Sequence, residues 1–151
     1  MSTASPLPRA LMSRAALLFF LGMVTGLWAG VVLSHGRAIG IDLPPLQHER
    51  LALGAHLNAL LGAFWLLALA STVEHTRFGD VGRRRLAQAV TVACFGNWAI
   101  TLLASLLDVR GLDFGGGPRN QAIAGLLQAL VVLPSLAASA AWAVGLRPSR
   151  G

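Results

Sequence analysis

The run LALGAHLNALLGAFWLLALASTV, residues 51–73, constrains this chain more than any other stretch. It holds 23 residues and no charged side chain. At 1.5 Å per residue it reaches across the hydrocarbon core of a bilayer as a helix. Three further apolar runs, at about residues 14–34, 86–107 and 122–146, have the same character. Lipid offers no water to the backbone, so spanning runs like these close their own hydrogen bonds as helices. The expected fold class is all-α: an integral membrane four-helix bundle, with short connections favouring up-down topology. The organisation that follows is a disordered N-terminal tail over residues 1–12, one four-span membrane domain over 13–146, and a basic tail over 147–151.

Composition agrees. Charged residues make up 12% of the chain, about half the share of a soluble domain, and 55% of residues are hydrophobic. The net charge is +6, and every basic residue is arginine. Nucleic acid is not the partner this implies. The arginines are spread over tails and loops, with one run, Arg83-Arg84-Arg85, at the foot of a span. Their distribution suits orientation in an anionic lipid membrane. Eight arginines fall on the side of the two tails and four on the other. The positive-inside rule then places both termini in the cytoplasm, in a multi-pass protein of the inner (cytoplasmic) membrane. The first span begins like a signal peptide. Its apolar run is longer than a signal core and no A-x-A site follows, so it is expected to be retained. The single cysteine, Cys94, excludes an internal disulfide and a two-cysteine redox relay.

One histidine stands inside an apolar span. His56 lies near the start of the second, whereas His35 is at a span end and His48 and His75 are in loops. A histidine at membrane depth is costly unless something binds it, which makes it a functional-site candidate. On a helix Ala52, Ala59, Leu60 and Ala63 share its face, a low strip against which a flat cofactor or another helix can lie. The plainer reading of His56 is a satisfied hydrogen bond between helices. A second polar feature is the stripe Asn97, Thr101, Ser105 and Asp108 on the third span, which either bonds a neighbouring helix or lines a wet pocket. Gly22, Gly26 and Gly30 form a four-residue ladder, read as packing. Pro134 is expected to kink the fourth span. The Gly-rich loop before that span follows no strand, so it is not read as a phosphate loop. A lone intramembrane histidine cannot supply both axial ligands of an electron-carrying haem within one chain. It can supply one and leave the other iron face open as a Lewis acid, which suits a non-redox rearrangement.

A resemblance adds to this. Leu21-Gly22-x-x-Thr25-Gly26-Leu27-Trp28 is followed by Gly54-Ala55-His56-Leu57 and Leu61-Gly62. Gly96-Asn97-Trp98-Ala99, Leu102-Leu103-Ala104 and Arg110-Gly111-Leu112-x-Phe114-Gly115 come next. In order and spacing, over roughly residues 12–146, the chain resembles the four-span family of hydroxylaminobenzene mutases and styrene oxide isomerases. The resemblance implies a homotrimer around haem b, with His56 as the iron ligand. It implies rearrangement of a small aromatic substrate, either an aryl hydroxylamine to an aminophenol or an aryl epoxide to an aldehyde. On it, Asn97 and Thr101 are the expected catalytic residues, and His56, Ala59 and Ala63 the expected cofactor-binding residues, with Trp65 and Trp98 as walls or as packing. Two positions depart from the family pattern. Gly62 stands where it has an asparagine, and Thr101 where the isomerases have a tyrosine; the chain has no tyrosine at all. Asn58 points about 160° away from His56 on a helix and is not expected to replace the missing asparagine. The alternative function is a non-catalytic membrane partner or scaffold subunit. A small transporter is a third reading, disfavoured because no acidic residue lies deep in a span.

Overall fold

A computed structural model of the chain describes residues 6–34 and 49–148. Four helices account for nearly all of them: α1 (Pro6–Ser34), α2 (Glu49–Thr72), α3 (Asp80–Leu107) and α4 (Pro118–Gly145). A short 3-10 turn, Val73–His75, follows α2. Among the described residues there is no strand, and all four helices are long and apolar enough to cross a membrane. The all-α, four-span architecture is therefore as expected. The loop with Pro44-Pro45, His35, Arg37 and His48 lies outside the described residues, as do residues 1–5 and 149–151.

Helix boundaries differ from the hydropathy runs in informative ways. Residues 6–12, expected as part of a disordered tail, form the first turns of α1. Pro6 and Pro8 fall where no N–H is needed by the helix. Leu7 and Leu11 follow at i and i+4, and Leu11 is fully buried in the main core. Packing thus extends the helix beyond its apolar run. α3 likewise starts before its apolar run, so the arginine triplet lies on its first turns. Arg83 Nη2 donates to the carbonyls of Glu74 and Thr76 at 3.0 and 3.1 Å, which ties the α2–α3 connection to α3.

α4 answers the Pro134 expectation with a π turn. Its residues 118–127 and 133–145 are α-helical, and Gln128–Val132 between them is π-helical. Pro134 has no N–H for the carbonyl of Leu130. The ladder widens just before it, with the Leu133 N–H donating to the Gln128 carbonyl. The Leu130 carbonyl faces α3, 3.5 Å from where a Cβ on Gly96 would stand.

α3 is the hub. Three consecutive residues meet three different helices, as a 100° step per residue allows. Gly96 faces Leu130 on α4, Asn97 bonds Asn58 on α2, and Trp98 bonds Thr25 on α1. The main core lies between α1, α2 and α3, built from Leu11, Leu18, Leu66, Leu69, Val73 and Val90 with alanines between them. Outward faces are apolar: Phe20 and Leu27 on α1, Leu53, Leu57, Leu61 and Phe64 on α2, Leu133 and Leu136 on α4. Such faces suit lipid or a neighbouring membrane helix. The chain is a multi-pass membrane protein.

Candidate functional site

His56 leans against α1. Its Nδ1 lies 2.8 Å from the backbone carbonyl of Gly22. A carbonyl can only accept, so Nδ1 carries the proton and donates it. In a neutral imidazole Nε2 then holds the lone pair. Nε2 has no hydrogen-bond partner among the described residues, and the ring is only half-buried. A carbonyl behind one nitrogen, with the other presented outward, is how metal-ligating histidines are commonly held.

The glycines of α1 make this seat. A Cβ placed on Gly26 would stand 2.5 Å from His56 Nδ1 and 2.7 Å from Cε1. One on Gly22 would stand 2.8 Å from the Ala59 Cβ. Only glycine at both positions lets α1 come close enough for ring and carbonyl to meet. Two rungs of the ladder, Gly22 and Gly26, are packing as expected, and they also set the orientation of the histidine. A Cβ on Gly30, the third, would meet no described atom within 4 Å.

The alanine strip beside His56 meets a helix. Ala59 and Ala63 are fully buried in the core cluster with Leu18 of α1, and Gly22 lies against Ala59. Ala59 and Ala63, expected beside a cofactor, pack in the core here, and their small side chains admit α1, while His56 stays half-buried.

Asn97 and Thr101 are brought together on the other flank of α2. Asn58 Nδ2 lies 3.1 Å from Asn97 Oδ1 and 3.1 Å from Thr101 Oγ1, and Thr101 Oγ1 lies 3.4 Å from Asn97 Oδ1. The stripe of α3 does not continue as one surface. Ser105 is fully buried and bonds the Leu102 carbonyl of its own helix at 2.7 Å. Asp108 adopts a left-handed conformation, φ 52°, and caps α3 through its backbone. Trp98 acts as a bridge, its Nε1 donating to Thr25 Oγ1 at 3.0 Å, and Trp65 packs against the main core. Among the described residues no three His, Cys, Asp or Glu side chains gather as a metal site.

His56 and the Asn58–Asn97–Thr101 cluster therefore flank the same outward face of α2, the one carrying Leu53, Leu57, Leu61 and Phe64. One opens toward α1 and the other toward α3. Asn58 is the member that the sequence reading set aside. Its 160° offset from His56 is real, and it is what carries the amide to α3. Asn120 also went unnoticed. It accepts from the Gly111 N–H at 2.7 Å and donates to the carbonyls of Asp113 and Gly115, which folds the Arg110–Gly115 loop.

The family model described as styrene oxide isomerase matches residues 7–147. Among curated proteins the chain is similar to hydroxylaminobenzene mutase HabB of Ectopseudomonas oleovorans, with 28% identity over 158 residues. That match takes in 99% of this chain and 88% of the relative.

Proposed function

The chain belongs to the styrene oxide isomerase family, and on that footing we propose that it is a haem-dependent membrane isomerase or mutase of small aromatic substrates. The observation that carries the haem reading is the His56–Gly22 hydrogen bond, which places the proton on Nδ1 and leaves the Nε2 lone pair available to a metal. A single histidine suits a metal group that brings its own equatorial ligands. Haem b held at Nε2 would supply a Lewis acid for a substrate oxygen.

The protein's own residues do the rest. Gly22 and Gly26 hold the imidazole at one angle. Asn97 offers a polar group to orient the substrate, and Thr101, bonded to Asn58 and Asn97, holds that amide in place. The apolar surface of α2 between the two sites takes the aromatic ring and keeps water away. Both candidate reactions balance without an electron donor. In the first, the N–O bond of an aryl hydroxylamine breaks and a C–O bond forms on the ring, the ring proton leaving as nitrogen gains one. In the second, an aryl epoxide opens and hydrogen shifts to the neighbouring carbon to give an aldehyde.

The two flanks of α2 come into one site when another copy covers the outward face between them. That is the place of the homotrimer in this proposal, in a cytoplasmic membrane with both termini inside. The test is turnover by the detergent-purified protein without added oxidant or reductant. Aminophenol from N-phenylhydroxylamine, or phenylacetaldehyde from styrene oxide, is expected, falling at least about 100-fold in His56→Ala, the scale on which loss of a Lewis acid acts. No isomer from either compound would refute the proposal.

A further inference from the structure

The Asn58–Asn97 pair has hydrogen-bonding capacity left over. Each side-chain amide owns one carbonyl and one NH₂ group. The bond between them, 3.1 Å long, uses a donor from one and an acceptor from the other. Whichever amide donates, the pair keeps one carbonyl oxygen and one NH₂ group with no partner on each other. Thr101 does not absorb both, because its hydroxyl oxygen lies 3.1 Å from Asn58 Nδ2 and 3.4 Å from Asn97 Oδ1, the two groups already bonded to each other. Asn58, Asn97 and Thr101 are all half-buried. Among the described residues the one sealed-in side-chain polar atom without a partner is Arg83 Nε, so the leftover amide groups open outward. They do so within two membrane-spanning helices. Unpaired amide groups at that depth are costly, and they mark a place where a polar ligand binds.

We propose that Asn58 is a specificity-determining residue that, with Asn97, forms a paired acceptor and donor selecting N-aryl hydroxylamines over aryl epoxides. This rests on the reading above that the protein rearranges a small aromatic substrate. A hydroxylamine carries N–H and O–H donors beside lone pairs on both atoms, so it satisfies the carbonyl and the NH₂ group together. An epoxide carries only an acceptor oxygen. It satisfies the NH₂ group and strands the carbonyl, and sites built to receive a donor discriminate strongly against analogues that lack one. The direction matches the chain's composition: no tyrosine hydroxyl is present to serve an epoxide oxygen, and the Thr101 hydroxyl is engaged on Asn58.

The experiment compares kcat and KM for N-phenylhydroxylamine and styrene oxide in the full-length wild type, Asn58→Ala and Asn58→Ser. Size-exclusion profile and melting temperature report folding. The wild type should prefer the hydroxylamine by about tenfold or more in kcat/KM, the scale of one well-placed hydrogen bond. Asn58→Ala should raise KM for the hydroxylamine about tenfold, and clearly more than it raises KM for the epoxide, so that the ratio of the two kcat/KM values falls. Asn58→Ser lacks the amide carbonyl, keeps a polar group toward Asn97, and should shift the preference the same way if the alanine variant does not fold. A folded variant with unchanged preference, equal losses on both substrates, or a wild type that prefers the epoxide would overturn the assignment while leaving the isomerase reading standing. A wild type that rearranges neither compound would remove that reading, and this inference with it.

Discussion

If His56 ligates haem as proposed, Gly26→Ala will lower haem retention by about 10- to 100-fold, the range seen when the group that orients a metal-ligating histidine is disturbed. The added Cβ would sit 2.5 Å from His56 Nδ1 and 3.0 Å from Cγ. The atoms in the way belong to a ring held at its base, so the ring must rotate or α1 must retreat. Either movement breaks the bond from Nδ1 to the Gly22 carbonyl. Nε2 then loses both its fixed direction and its assured lone pair. Gly125→Ala is the control, since a Cβ there meets nothing within 4 Å. Haem content per chain in the two purified variants is the readout. Equal retention in both would mean that the glycine seat does not orient the histidine.

Restoring the family asparagine at position 62 will destabilise the protein. Gly62 is buried, and a Cβ there would lie 3.0 Å from both the Cys94 Cβ and the Leu18 Cδ2. An asparagine adds overpacking and an amide without partners to the centre of the main core, together about 2–4 kcal/mol. For a chain of this size that is roughly 10 °C in melting temperature. Cys94→Gly in the same chain removes the obstacle on α3 and leaves Leu18 on α1, so the double variant should recover part of the loss; residues in contact do not act additively. A Gly62→Asn protein that melts with the wild type would show that the core has room at this position. Leu18 and Cys94 fill the space beside Gly62.

The fold could be read from the sequence because lipid leaves a long apolar run one regular option, and four such runs define four helices. What hydropathy cannot see is packing at the ends. Leu7 and Leu11 draw the first turns of α1 out of an expected tail, and the arginine triplet rides on α3 because its helix continues past the apolar boundary. The π turn of α4 was legible only as its cause, Pro134.

The site was half legible. His56 stands out because an imidazole in an apolar span needs a partner. That the partner is the backbone carbonyl of Gly22 is not written in any side-chain pattern. It follows from how closely two glycines let α1 approach. Asn97 and Thr101 announced themselves as a stripe on one helix face. Asn58 was visible as the second asparagine in the spans, but judged by its angle from His56 it looked misplaced. The angle that takes it away from the histidine is the one that brings it to Asn97. The alanines at 59 and 63 are small enough to let α1 approach α2.

The most direct test of the central claim, that His56 ligates haem iron, is the absorption spectrum of the detergent-purified protein with a pyridine haemochrome assay. The account predicts a Soret band at near one haem per chain in the wild type and its loss in His56→Ala. A colourless wild-type protein from haem-supplemented cells, or full haem occupancy in His56→Ala, would contradict it.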